Sequence, residues 1–252
     1  MSETPEIVTV LLPEDEFTHE PDPVPNYNES MYLNGFDLTQ GLGAWFRLGN
    51  RVNEGYAEMS VCLYLPDGRV GFMFGRPKIE TNDEMKAGGL EISVVTPFEH
   101  LTVSYDGKVV VLDEPEQMTN PREAFRDNPT VACRVRLDVH GVSPMYGGKP
   151  QYADGTEIEV DAQNSFAKAH YEQHTRVTGT IELGRDCQGN VRWQVGPEDD
   201  HCRIQGEDGP KRGDPVQVLE PPVQSLSGVR ERLLHTAVEL IASPDHNYAF
   251  HS

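Results

Sequence analysis

Between Gly55 and Pro77 apolar and polar side chains alternate. Ala57, Met59, Val61, Leu63 and Leu65 form one apolar row, and Tyr56, Glu58, Ser60, Cys62 and Tyr64 form a more polar one. Successive side chains on a strand point to opposite faces, so this period predicts a strand with one face on a core. Pro66-Asp67-Gly68 supplies turn chemistry, and Arg69 to Phe74 returns as the partner strand of a hairpin. Upstream, SMYLNGFDL and GLGAWFRLGN are short aromatic-rich runs broken by glycine and asparagine. Leu90 to Thr96 and His100 to Tyr105 are further strands, and YDGKVVVL predicts a second hairpin turning at Asp106-Gly107. Val131, Cys133, Val135, Leu137 and Val139 then alternate with Arg134, Arg136 and Asp138.

The interruptions are as informative as the strands. In EPEQMTNPREAFRDNPT, Pro121 after Asn120 predicts a brief helix through Phe125 that ends before Asn128-Pro129. GVSPMYGGKPQYADGTE reads as a loop, and AHYEQHTRVTGTIEL as one long strand. The expected fold is therefore all-β: an antiparallel, lipocalin-like barrel or sandwich over about residues 25–184. Residues 1–24 read as an acidic, proline-rich arm facing solvent. After Gly184 apolar residues thin out, so 185–252 is expected to be a divergent, irregular tail. It carries one helix near 229–242, where Val229, Leu233, Ala237, Leu240 and Ile241 fall near helical spacing.

Charge narrows the function. Over 252 residues the formal net charge is -20, and the first lysine or arginine is Arg47. Such a field repels phosphate backbones and anionic lipid, so nucleic acid is not an expected partner. Mean hydropathy is -0.53, and no run approaches the roughly 20 apolar residues of a membrane helix. Membrane insertion is not expected. MSETPEIVTVLLPEDEF lacks a basic start and a small-residue cleavage site, which points to the cytoplasm. There the four cysteines, with no C-x-x-C, read as free thiols. Cys187, Cys202 and His201 match no standard zinc spacing; no metal site and no cofactor is expected.

Candidate chemistry sits in two places. In AHYEQHTRVTGTIEL, His170, Glu172 and His174 occupy alternate positions and share one face of the expected strand. A carboxylate between two imidazoles can hold their tautomers and support general acid–base work on an alkene or enol. The competing reading makes this row a wet strand face, with Tyr171, Val177, Ile181 and Leu183 on the core. The second place is WFRLGNRVNEGYAE, read as a loop between two strands at a barrel mouth. There Arg47 and Asn50, with Trp45 and Tyr32 as apolar walls, would grip a carboxylate or hydroxyl on a mainly apolar ligand. The alternative is a hydrogen-bonded turn, with the aromatic residues serving a core. No serine-hydrolase elbow, P-loop or dinucleotide fingerprint occurs.

Several stretches together resemble a known family: ESMYLNGFD, RLGNRVNEGYAEMSVCLYLPDGR, PFEHLTVSYDGK, GVSPMYGG and FAKAHYEQHTRVTGTI. They resemble the N-terminal domain of a bacterial family grouped with carotenoid-hydratase-like (hydroxyneurosporene-synthase-like) proteins of lipocalin-like fold. The resemblance covers about residues 29–183. It implies two packed β domains in a superfamily whose members act on isoprenoid or polyketide substrates. In such relatives a block around Asp-His-Ser-Trp-Gly follows, whereas here RDCQGNVRWQVGPEDD stands after Gly184. The expectation is then a half-molecule with a replaced or truncated end, or one served by a separately encoded second domain. Its expected function is binding of a hydrophobic, isoprenoid- or polyketide-like small molecule. The alternative is a hydratase, isomerase or cyclase using His170, Glu172 and His174.

Overall fold

The structure is a computed structural model that describes residues 6–158, 168–186 and 189–195. The expected helix near 229–242 lies outside the described residues. In chain order the strands are β1 (Ile7–Val10), β2 (Glu29–Asp37), β3 (Leu42–Arg51), β4 (Tyr56–Tyr64), β5 (Val70–Gly75), β6 (Met85–Ala87), β7 (Leu90–Thr96) and β8 (His100–Leu112). A short helix α1 (Pro121–Asp127) precedes β9 (Thr130–Gly141), β10 (Tyr146–Tyr152), β11 (His170–Glu172), β12 (Thr175–Asp186) and β13 (Gly189–Val195). All pairings between these strands are antiparallel, as expected.

Ten strands make one sheet, in the order β13-β12-β9-β8-β5-β4-β3-β2, with β7 and then β6 branching from β8. The two ends of this order approach each other. A Cβ on Gly35 in β2 would lie 3.7 Å from Val177 Cγ2 in β12. The sheet is thus curled, but among the described residues no hydrogen-bonded ladder joins the ends and the barrel stays open. A second sheet, β1-β10-β11, sits beside it.

The alternating rows explain the core. Ala57, Met59, Val61, Leu63 and Leu65 all face inward, where they meet Phe46 and Leu48 of β3 and the apolar row Val131 to Val139 of β9. Fully buried side chains such as Leu48, Val61 and Leu63 each contribute roughly 1.5–3 kcal/mol. The hairpin turns at Pro66-Asp67-Gly68 as expected, with Gly68 at φ 91° and Leu65 N–H donating to Arg69 O. Asn120 caps α1 by accepting from Glu123 N–H.

Five expectations need correction. The more polar row of β4 is buried as well, because α1 and an aromatic cluster cover the outer face: Trp45, Cys62 and Phe72 pack there against Met118 and Ala124. Asp106-Gly107 makes no turn, and β8 runs straight through it in register with Arg134 and Cys133. Gly107 leaves room for the Tyr105 ring, whose hydroxyl donates to Lys108 O (2.7 Å) and accepts from Lys108 N–H (3.0 Å). The stretch read as a loop contains β10, which pairs with β1 and β11. AHYEQHTRVTGTIEL, read as one strand, holds two, β11 and β12, because Gln173 donates to Phe98 O (2.9 Å) and Ser143 O (2.8 Å) between them. The regular sheet also passes Gly184, since β13 pairs with β12.

Candidate functional site

The inner faces of β2, β3, β8, β9 and β12 enclose a cleft of about 1690 Å³ among the described residues. Its floor is apolar, formed by Met31, Phe46, Leu101, Val139, Val177 and Ile181. Of these, Val139, Val177 and Ile181 belong to rows that the sequence pattern already marked as apolar. The N-terminal arm borders one side of the cleft instead of lying free in solvent. Asn53 Nδ2 donates to Asp22 O and Val24 O (2.7 Å each), Lys168 pairs with Asp22, and Phe98 N–H donates to Glu16. Glu16 is only 4% exposed, so the acidic run is in part structural.

Where the arm meets β2, polar groups converge on Glu29. Its carboxylate accepts from the His19 ring at Nδ1, His19 backbone N–H (2.9 Å), the Tyr27 hydroxyl (3.0 Å) and Asn82 Nδ2 (2.6 Å). Asn82 also donates to His19 O (2.8 Å) and accepts from Asn50 Nδ2 (3.0 Å). Burial works against a charged His19 ring, but Glu29 and Asp15 outweigh it and raise its pKa. Burial, and then Glu29, push Tyr27 up. Tyr171, which also lines the cleft, is raised by burial and then by the fields of Glu16, Glu29 and Asp15. Glu16 is raised by burial, partly offset by the Phe98 N–H. Phe98 itself has φ 64°, rare for a bulky residue, and is clamped by Glu16, Gln173 and an edge contact with Tyr171 (6.4 Å).

The residues singled out from sequence fall differently. His170, Glu172 and His174 all border the cleft. His170 Nε2 lies 3.5 Å from Glu172 Oε1. Glu172 and His174 are exposed, however, and His174 sits in the break between β11 and β12, its backbone N–H on Ser143 Oγ (3.0 Å). The residues between them, Tyr171 and Gln173, are half-buried.

Arg47, Asn50, Trp45 and Tyr32 are strand residues, not loop residues, because the loop between β3 and β4 is confined to Val52–Glu54 and Gly55. Arg47 is buried against Glu58 (3.4 Å), whose other oxygen takes Arg76 (3.1 Å). The Tyr32 ring packs on Trp45 (6.0 Å) in the outer aromatic cluster. Asn50 faces inward, donating to Asn82 and Glu84 O, and so braces the polar end from behind. Its Oδ1 is buried without a hydrogen bond among the described residues. Sequence reasoning missed His19, Tyr27, Glu29 and Asn82. Only the spacing of Asp15 and His19 hinted at a local pair, and nothing along the chain joins Glu29 to Asn82.

Among the described residues no helix is long and apolar enough to cross a membrane. No curated protein and no solved structure matches the chain. A family model described as "Domain of unknown function (DUF7064)" matches residues 12–192, from the arm that borders the cleft into the strand that follows β12, and the chain belongs to that family.

Proposed function

We propose that this protein binds an elongated apolar small molecule in the cleft, with the His19–Glu29–Tyr27 cluster holding a polar group at one end. The observation that carries this reading is an open trough whose floor comes from the inner faces of five strands. Its volume exceeds the roughly 300–1,000 Å³ of sites for drug-sized ligands, which favours a long or multi-ring molecule. An isoprenoid- or polyketide-like ligand fits that shape, in keeping with the resemblance to carotenoid-hydratase-like proteins.

A second reading, turnover by a hydratase or isomerase, rests on one observation: an imidazole with a raised pKa bonded to a carboxylate beside an apolar floor. In that case His19, half-exposed but bonded directly to Glu29, forms a closer acid–base pair than His170 and Glu172 at 3.5 Å. Nile red, a neutral apolar dye, tests the binding reading. Val177→Arg should weaken its binding at least tenfold, while Glu172→Gln and His174→Ala leave it unchanged, with circular dichroism confirming each fold. Equal dye affinity in Val177→Arg and the parent would refute the cleft as the binding site.

A further inference from the structure

On the outer face of the sheet, away from the cleft floor, His100 of β8 stands directly opposite His140 of β9, and Asp138 lies two residues before His140 on the same face. One ligand atom from each of the three lies within 4.8 Å of the other two. His100 Nε2 is already 2.9 Å from Asp138 Oδ1. The two imidazoles stack at 4.3 Å with an interplanar angle of 18°. We infer that His100, Asp138 and His140 form a binding site for a divalent transition-metal ion of the zinc class.

The chemistry of the set supports this. Neutral imidazole suits zinc, nickel, copper and iron, and two imidazoles with one carboxylate leave coordination positions open. Bonds of about 2.0–2.1 Å in a tetrahedral site put ligand atoms roughly 3.3 Å apart. The His100–Asp138 pair, at 2.9 Å, must open by roughly 0.4 Å, and the His140 ring must close by roughly 1.5 Å at most. A shared ion lies in the plane of each ring, so both rings must turn out of their stack. Imidazole rotation about its last torsion is soft, and neither ring is fully buried. The ladder fixes the rest, since all three residues sit on paired strands and need no loop to fold around the ion. The net charge of -20 draws cations toward the protein. Arg176, opposite His140 on β12, works against a cation locally. No spacing motif betrays the site, because the two strands meet only through pairing.

The test uses the full chain, stripped of metal and titrated with Co²⁺. One equivalent should produce visible d–d absorption, and Zn²⁺ should displace it. His100→Ala/His140→Ala should lose that equivalent while the remaining histidines are untouched, and Asp138→Asn should weaken it at least tenfold. Circular dichroism reports the fold of each variant; if the double variant unfolds, Asp138→Asn and His140→Gln decide the question singly. A parent that binds no ion, or folded variants with unchanged stoichiometry and affinity, would overturn the inference.

Discussion

Replacing Glu58 by leucine removes the carboxylate between two guanidinium groups on the covered face of β4. Arg47 lies 3.4 Å away and is nearly as buried as Glu58 itself, whereas Arg76 is more than a third exposed. At an effective dielectric of about 20, a pair at that separation is worth roughly 5 kcal/mol before desolvation. The Arg76 contact is partly screened by water and is the weaker of the two. Breaking a buried pair from one side usually costs about 3–5 kcal/mol, since the surviving charge keeps its desolvation penalty. For a chain of this size that lowers the melting temperature by roughly 6–20 °C. Arg47→Met should cost less, because Glu58 keeps Arg76 at 3.1 Å. The double variant Arg47→Met/Glu58→Leu should regain most of the loss, as buried pairs replaced by apolar residues often do. Urea unfolding followed by tryptophan fluorescence measures all three. A Glu58→Leu protein within about 1 kcal/mol of the parent, or a double variant no better than Glu58→Leu, would show that burial of charge does not govern this face.

Other consequences are simpler to read. Gln173→Ala removes two hydrogen bonds to backbone carbonyls and should cost about 1–3 kcal/mol in a denaturant titration. Gly107→Val should destabilise by about 1–3 kcal/mol, since the new side chain collides with the Tyr105 ring; thermal unfolding checks it. Glu16 is raised in the folded state, so its contribution is present below its unfolded pKa and is lost as pH rises through the folded one. Stability relative to Glu16→Gln should therefore fall as pH is raised from about 4 to 7, and a rise would refute the assignment. Burial pushes the Cys62 and Cys133 thiols up to about 12. In a Cys187→Ser/Cys202→Ser background, neither should react with a disulfide reagent until the protein is unfolded.

Long strands with one wet face were the most legible, whereas β1, β6, β10 and β13 were not read as strands. β9 buries every second residue, and its apolar row was visible residue by residue. β3 and β4 were legible as strands but not in their burial, because a period of two says nothing about what covers the second face. Asp106-Gly107 misled because the same dipeptide serves a tight turn or a ring packed over a glycine, and only the Tyr105 contact distinguishes them. The candidate site was least legible. Part of its floor follows from alternation, but its polar end joins His19 and Glu29 to Asn82, more than fifty residues further along the chain.

The double-sided burial of β3 and β4 also bears on how this family's variation should be interpreted. A scan of every substitution would find Arg47, Asn50 and Glu58 intolerant, and a map of such positions would look like an active centre. Their intolerance reports the cost of stranding charge and amide groups away from water, and it would persist in a chain with no ligand at all. Sensitivity that is conditional on ligand, seen as variants that fold normally but fail to bind, should gather around the cleft instead. Sorting variants by abundance first, and by binding second, separates the two maps.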